Sequence, residues 1–332
     1  MQLVAMGAQD VYLTGNPQIT FFKVVYRRHT NFSKEAIKQE WNGSGNSKTC
    51  TLARNGDLVQ EIYMTTAATK TQTLDNVLSV EVEIGGQKID KHYNAWLDIY
   101  DELFDENAGL KTAILGGEGK GYIPLRFWFN RNPGLALPLI ALQYHEVKII
   151  ADFTDGTRCG GLLVNYVYLD TDERRRFAQV SHEYLIEQVQ HTGPETVATD
   201  GSSVTLTFNH PVKALFWTKL AAPYTAKLQL NGHDRLSFQS DLYFTGVQPY
   251  ECGLRHNHPS TTVLSPTFHS GMYSFCLKPG EHQPSGTCNF SRIDNARLVY
   301  SGTGCGGSVR IFAMNYNVLR IMSGMGGLAY SN

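Results

Sequence analysis

The strand–turn–strand segment around Gly85-Gly86 constrains the fold of this chain more than any other feature. Apolar and polar residues alternate over Leu78–Ile84, which predicts a strand with one buried face. The two glycines then allow a tight turn into a second strand over Gln87–Asp90. A similar unit returns over Gln229–Leu236, with Asn231-Gly232 at its turn. We therefore expect a β-rich chain in which two units of similar length follow one another.

The length of 332 residues allows two domains, each with its own core. The most charged run, Asp170–Phe177, predicts a capped helical turn at the boundary between them. One further helix is expected from apolar residues at helical spacing. Its members are Trp96, Ile99, Tyr100, Leu103 and Phe104. The predicted fold class is all-β, with two consecutive eight-stranded antiparallel jelly rolls (a double jelly roll) and short helices in the loops.

An apolar segment near the start of the sequence must be covered by something. Val11–Leu13 and a turn signal at Thr14–Pro17 precede an apolar and aromatic run, in which Phe21–Tyr26 is predicted to form the first strand. Arg27 and Arg28 follow this run, whereas a secretory signal carries its charges before the apolar part. The run is also too short to cross a bilayer. Either the chain's own core or a neighbouring molecule is expected to cover it.

Further strands are predicted along both halves of the chain. Arg54–Asp57 predicts a hairpin turn into Leu58–Met64, because Asn-Gly readily adopts the positive φ values of tight turns. Runs of β-branched and aromatic residues predict a strand over Leu125–Phe129 and one long strand over Leu137–Phe153. Arg235–Phe238 is predicted as a strand in the second half.

Charge and cysteine content narrow the class of protein. The formal net charge of −1 argues against a nucleic-acid-binding protein, which needs a clear basic excess. No run of 18 or more apolar residues is present, so no transmembrane helix is expected. The six cysteines form no CxxC pair, which predicts free thiols and favours the cytoplasm. They are Cys50, Cys159, Cys252, Cys276, Cys288 and Cys305.

Three groups of polar residues suggest chemistry, but each of them also has a simpler explanation. The loop Gly116–Gly121 lacks the Ser or Thr that follows the lysine of a phosphate-binding loop. Cys252, His256 and His258 would need a fourth zinc ligand, and a polar surface loop explains them equally well. Four carboxylates would offer an acid–base pair, yet a solvated helix face is the simpler interpretation. They are Asp98, Asp101, Glu102 and Asp105. We therefore expect no enzyme activity, no metal and no cofactor.

The pattern of N-glycosylation sites occurs three times, at Asn31, Asn42 and Asn289, each followed two residues later by serine. Such triplets also arise by chance. In a protein that stays in the cytoplasm they would be unused.

Several long sequence blocks together resemble a known family. They are Gly7–Ser33, Ile84–Tyr93, Phe127–Phe129, Asn132–Val147, Glu183–Gln188, Asn231–Arg235, Glu281–Ala296 and Asn315–Ala329. The blocks lie in both halves of the chain and are not generic to β-proteins. On these residues the chain resembles the major capsid proteins of nucleocytoplasmic large double-stranded DNA viruses, which include the phycodnaviruses and the iridoviruses.

The resemblance implies a structural subunit with two jelly rolls that stand perpendicular to a virus shell. It implies homotrimers with a pseudo-hexagonal outline, and capsomers that tile an icosahedral shell above an internal membrane. The implied partners are further copies, minor capsid proteins, penton proteins and the nearby membrane, with no direct contact to nucleic acid. The implied location is the capsid of the virion, after assembly in the host cytoplasm.

The resemblance also suggests that three segments of the chain have different roles. Residues 1–20 are expected to form an N-terminal assembly arm, residues 21–176 the first jelly roll and residues 177–332 the second. The arm and its connection are expected to contact the particle interior or adjacent capsomers through Asp10, Val11, Tyr12, Leu13, Phe21, Phe22, Arg27 and Arg28.

The loops that connect the strands are short for this family, at Gly109–Gly121 and Tyr250–Gly271, which predicts little outer decoration. Two alternatives stay open. One is a minor capsid or penton-associated protein of the same virus class. The other is a double jelly-roll protein that binds glycans or acts on them.

Overall fold

The computed structural model describes residues 7–8, 10–18, 21, 26–67, 76–104, 121–198, 201–218, 220, 223–254, 270–302 and 307–330. Most described residues belong to antiparallel β-sheets, and period-two alternation accounts for their formation. In the segment Val147–Phe153, for example, every second side chain is buried. The strands form two consecutive units, each made of two sheets.

The first unit consists of nine described strands. They are β1 (Phe32–Gln39), β2 (Ser47–Thr51), β3 (Leu58–Thr66), β4 (Val77–Ile84), β5 (Gln87–Tyr93), β6 (Tyr122–Pro124), β7 (Leu137–Pro138), β8 (Val147–Phe153) and β9 (Cys159–Leu169). One sheet has the order β1-β9-β3-β6, with β7 paired to β3, and the other has the order β2-β8-β4-β5.

The second unit consists of eleven described strands. They are β10 (His182–Val197), β11 (Ser203–Thr205), β12 (Pro211–Trp217), β13 (Thr225–Leu230), β14 (His233–Asp234), β15 (Gln239–Ser240), β16 (Gly271–Ser274), β17 (Cys288–Asn289), β18 (Ala296–Ser301), β19 (Gly307–Met322) and β20 (Met325–Leu328). One sheet has the order β10-β19-β12-β16 and the other β11-β18-β13-β14, with β17, β20 and β15 attached at the sides.

Both units share one strand order. In the first unit β1 pairs with β9, which also pairs with β3, while β2 pairs with β8. In the second unit β10 pairs in the same way with β19, which also pairs with β12, while β11 pairs with β18. This interleaving of early and late strands in two facing sheets is the jelly-roll topology. The predicted all-β double jelly roll is therefore confirmed, and short strands beyond the predicted eight are present in each unit.

The helices are short and lie in the connections. They are α1 (Asp10–Thr14), α2 (Asn94–Leu103), α3 (Trp128–Arg131), α4 (Thr171–Gln179) and α5 (Gln248–Glu251). A π-helical turn covers Tyr243–Val247, and 3₁₀ turns cover Pro133–Leu135, Gly156–Arg158 and Phe290–Arg292. The two predicted helical segments are thus both present, as α2 and α4. The Asp170 side chain accepts a hydrogen bond from the Thr171 amide and so caps α4.

The two jelly rolls share a third apolar core that lies between them. Each roll has its own core between its two sheets. The predicted stripe of α2, which belongs to the first roll, packs with Trp96 and Leu103 against Phe216 and Phe312 of the second roll. Trp96 and Phe216 meet edge to face, with 5.4 Å between their ring centroids. The apolar face of α2 therefore holds the two rolls together.

Several sequence predictions about strands were wrong. Arg54–Asp57 does not close a hairpin, because β2 and β3 belong to different sheets. Gly56 has no positive φ there. A Cβ at Gly56 would instead lie 2.7 Å from Cβ of Tyr166, so close packing, and not turn geometry, requires a glycine at this position. Tight turns with positive φ do occur at Gly85-Gly86 and Asn231-Gly232, as predicted.

Other errors came from apolar runs that are buried without being strands. Within Leu125–Phe129 no strand forms, because β6 ends at Pro124 and α3 begins at Trp128. Leu137–Phe153 is divided into β7 and β8 by turns. Arg235–Phe238 forms no strand. A short buried apolar run does not by itself distinguish a strand from a helix or a turn.

The predicted first strand, Phe21–Tyr26, is not found where it can be checked. Phe21 lies in a turn and Tyr26 in no regular element, while Phe22 to Val25 lie outside the described residues. The first described strand is β1, which starts at Phe32.

Candidate assembly surfaces

The N-terminal segment presents large side chains to its surroundings. The short helix α1 carries Val11 and Tyr12, both exposed, and the Tyr12 side chain is 91% accessible. Phe21 is 94% accessible, and Arg27 and Arg28 are exposed as well. Phe22 and the side chains of Asp10 and Leu13 lie outside the described residues. The segment therefore offers apolar and basic groups to a neighbouring molecule.

This segment leaves the molecule at a defined end, which we call the lower end. There β1 begins beside the end of β9, with Phe32 opposite Leu169, and β10 begins beside the end of β19, with His182 opposite Ile321. Helix α4 connects the two rolls at this end and is held by Arg174, whose Nε lies 2.9 Å from Oδ1 of Asp57. The predicted arm thus joins the body beside the link between the two rolls.

A second apolar surface at the lower end surrounds the turn between β19 and β20. Met322, Met325 and Tyr144 are exposed there. The Tyr144 amide donates to the Gly324 carbonyl over 3.0 Å. A Cβ at Gly324, whose φ is +79°, would lie 2.6 Å from the Tyr144 ring. The glycine therefore permits both the left-handed turn and the close approach to the first roll.

A third apolar surface lies on the connection between β15 and β16 of the second roll. The π-helical turn and α5 expose Leu242, Val247 and Tyr250, and Tyr250 is 85% accessible. On the other side of the same segment Phe244 is buried, and the Gln248 carboxamide oxygen accepts from the Ser274 amide over 3.2 Å. One face of the segment thus packs against β16, and the other face is exposed to solvent. We call the exposed side chains of Leu242, Val247 and Tyr250 the upper face.

Sequence analysis did not predict the buried charges around Glu187, one of which connects the two rolls. Glu187 on β10 accepts from Arg131 of α3, in the first roll, over 2.6 Å, and from Lys213 of β12 over 2.5 Å. Lys213 is fully buried and also donates to the Glu281 carbonyl over 2.9 Å. One signal existed in the sequence: Lys213 is the lone charge in the otherwise apolar strand Pro211–Trp217, and a buried lysine needs a partner.

Backbone groups of β10 extend the contact between the rolls. The buried Asp90 carboxylate on β5 accepts from the Val189 amide over 3.1 Å, and its other oxygen lies 2.8 Å from Nε2 of His92. The Gln188 side-chain amide donates to the Ile89 carbonyl. Polar groups of both rolls are therefore paired across the junction, as buried groups must be.

The residues weighed for catalysis or metal binding do not form a site. Asp101 pairs with Arg126 over 3.2 Å, and the Glu102 carboxylate accepts from the Ser270 hydroxyl over 2.6 Å. Asp98 faces outward from α2, and Gly121 leads into β6. Asp105, His256, His258 and residues 116–120 lie outside the described residues. Within the part of the chain that is described, no group of three or more His, Cys, Asp or Glu residues could hold a metal ion.

The described cysteines are free thiols, as predicted, and Cys305 lies outside the described residues. Burial raises the pKa of Cys50 and that of Cys159 to about 11, so both thiols stay protonated at neutral pH. Among the described helices, none is long and apolar enough to cross a membrane.

The three predicted N-glycosylation asparagines are exposed. Asn31 precedes β1, and Asn42 pairs with Thr49 in an isolated bridge. Asn289 accepts from the Ser291 amide over 3.1 Å through its side-chain oxygen. Modification of these residues stays a prediction.

Comparison with known proteins identifies relatives along the whole chain. A family model for the N-terminus of major capsid proteins matches residues 20–167. A second model, for the major capsid protein of large eukaryotic DNA viruses, matches residues 173–222 and 218–327. The major capsid protein of Pyramimonas orientalis virus is 51% identical, and the alignment covers 100% of this chain and 99% of that relative.

Solved structures are also similar to this chain over most of its length. The crystal structure of VP54 of PBCV-1, fitted into a cryo-EM reconstruction of the virophage Sputnik, matches with a TM-score of 0.81 at 38% identity. The match covers 94% of this chain and 100% of that chain. The alignment with the Pyramimonas orientalis virus protein runs over 399 positions, compared with 332 residues here. That relative therefore carries insertions which this chain lacks.

Proposed function

Because this chain belongs to the major capsid proteins of large eukaryotic DNA viruses, we propose that three copies associate into a pseudo-hexameric capsomer, and that such capsomers tile an icosahedral shell. Members of this family are structural components of the capsid and not enzymes, and this chain is a virion protein of that kind. Assembly with further copies of itself is its central activity.

The observation that carries the proposal is an identity of 51% with a major capsid protein over the full length of both chains. The exposed apolar side chains at the lower end and on the upper face support it. Interfaces between permanently associated subunits are large and more apolar than an ordinary surface. Tyr12, Tyr144 and Tyr250 are aromatic residues of the type that is enriched in such interfaces.

The lower end and the upper face are proposed to have different roles. Residues 1–20 act as the assembly arm, while residues 21–176 and 177–332 form the two rolls. With Val11, Tyr12 and the basic pair Arg27-Arg28, the arm and its connection contact adjacent capsomers or the particle interior. The upper face, with Tyr250 at its centre, packs against a neighbouring subunit within the trimer. Minor capsid proteins, penton proteins and an internal membrane complete the proposed partners, and assembly takes place in the host cytoplasm.

Sedimentation velocity on the purified chain tests the trimer. We expect a single species of three chains at micromolar concentration, and a stable monomer would contradict the proposal. Tyr250→Ser should shift the protein toward monomers without changing its circular dichroism spectrum. Leu277→Ser replaces another exposed apolar residue outside the upper face and serves as the matched control. Equal trimer content in both variants would exclude the upper face as a trimer contact while leaving the trimer itself intact.

A further inference from the structure

The thiols of Cys252 and Cys276 both interact with one hydroxyl group, that of Ser274. Cys252 follows α5, and its amide donates to the Gln248 carbonyl over 3.1 Å. Cys276 lies two residues after β16, and its Sγ is 3.4 Å from Oγ of Ser274. The Ser274 hydroxyl also interacts with the Cys252 thiol. Both cysteines are buried, so their positions are fixed by packing.

This pair is distinct from the other described cysteines. Burial is the main cause that raises the pKa of Cys252, and the neighbouring Cys276 thiol adds to that effect. The groups that act on the Cys159 thiol, by contrast, are Lys48 and Asp155, and no second thiol is among them. The same holds for Cys288, whose charged neighbour is Arg235. Within the described part of the chain, only Cys252 and Cys276 therefore form a pair of interacting thiols.

We propose that Cys252 and Cys276 are a site of reversible oxidation, at which a disulfide bond forms when the protein meets an oxidised thiol such as glutathione disulfide. Cys252 reacts first, because it lines a surface cavity of about 390 Å³ together with Gly253 and Lys278. Since burial raises the pKa of this thiol, its reaction speeds up as the pH rises and the thiolate forms. The Cys252 thiolate attacks one sulfur of glutathione disulfide and releases one glutathione thiolate. The Cys276 thiolate then attacks the sulfur of Cys252 and releases the second. Two electrons and two protons thus pass to glutathione disulfide, and one S–S bond forms in the protein.

The bond would join the end of α5 to the end of β16. Gln248 already connects these elements, since its side-chain oxygen accepts from the Ser274 amide. A covalent link between Cys252 and Cys276 closes residues 253–275 into a loop, which lowers the entropy of the unfolded chain. The disulfide bond would also restrain the upper face on the second roll, because Tyr250 lies two residues before Cys252 in the sequence. The link would form once the protein leaves a reducing compartment.

Oxidation of the full-length chain with glutathione disulfide, followed by peptide mapping without reductant, tests the site. We expect a linked pair of peptides with Cys252 and Cys276, a higher midpoint of thermal unfolding, and reversal of both by dithiothreitol. Cys276→Ser should retain one glutathione on Cys252, whereas Cys252→Ser should leave Cys276 unmodified. Cys288→Ser is the matched control and should form the link like the unmodified chain.

The proposal is overturned if both thiols of the folded, unmodified chain are still fully alkylated after the incubation, or if other cysteines are linked instead. The mapping uses the unmodified chain, so it decides the matter even where a serine variant fails to fold. Because the readout is covalent and the trimer is measured by sedimentation, failure of this site would leave the proposed assembly function untouched.

Discussion

The buried charges between the two rolls allow a quantitative test of what joins them. Glu187 is buried and faces two cations, Arg131 and Lys213, at 2.6 and 2.5 Å. Glu187→Gln removes the carboxylate and leaves both cations buried beside a neutral amide. Loss of one partner from a buried ion pair costs about 3–5 kcal/mol, because the remaining charge stays desolvated. We expect this variant to lose stability in that range.

Lys213→Met should cost less than Glu187→Gln. After this change Arg131 still neutralises Glu187, and the methionine side chain fills most of the volume of the lysine stem. The Glu281 carbonyl loses a donor, which adds the cost of one buried hydrogen bond. Loss of the ion pair with Glu187 and of the hydrogen bond to the Glu281 carbonyl should together lower the free energy of unfolding by about 2–3 kcal/mol.

Lys278→Met is the matched control, since it makes the same substitution in an exposed pair. Lys278 lies 2.8 Å from Glu281, and its side chain is 62% accessible. An exposed ion pair contributes about 0–1 kcal/mol. Urea unfolding can be followed by tryptophan fluorescence, because Trp96 and Trp128 lie at the junction. The reasoning is refuted if Lys213→Met loses no more stability than Lys278→Met, or more than Glu187→Gln.

Three further predictions concern the turn, the pH response and the arm. Gly85→Ala should lower the free energy of unfolding by about 2–4 kcal/mol, because a Cβ there would lie 2.3 Å from the His145 ring. Gly86 has a similar φ but open space around it, so Gly86→Ala should cost about 1 kcal/mol. Thermal unfolding of both variants checks this difference. Burial lowers the pKa of His282 below its usual 6.5, so the unfolded state binds more protons than the folded state as the pH falls below 6.5, and the protein loses stability on acidification. In urea titrations from pH 7 to 5, the free energy of unfolding should fall less steeply for His282→Gln than for the unmodified chain. Deletion of Met1–Gly15 should leave folding and trimers intact but prevent shell formation in electron micrographs, and a truncated chain that does not fold would contradict the role of the arm.

Local patterns in the sequence were sufficient for the fold class. The strand over Leu78–Ile84 and the turns at Gly85-Gly86 and Asn231-Gly232 depend only on neighbouring residues, and all are found in the structure. The predicted alternation holds from Val80 onward, because a register shift between Val77 and Ser79 leaves Leu78 exposed and Ser79 buried. The stripe of α2 and the cap at Asp170 are equally local. The long blocks of resemblance then led to the family, since they extend over both halves of the chain.

Tertiary structure alone decided how these elements meet. Arg54–Asp57 has the composition of a hairpin turn, yet it connects two different sheets, because the jelly-roll order pairs β2 with β8 and β3 with β9. Strand order likewise brings Glu187 and Lys213 together within the second roll, and packing of the rolls adds Arg131 of the first roll to the same carboxylate. Apolar periodicity shows that a side chain is buried but not what it is buried against. The apolar face of α2 therefore acquired its partners only when the two rolls packed together, and Lys213 acquired Glu187 only when β10 and β12 came together within the second roll.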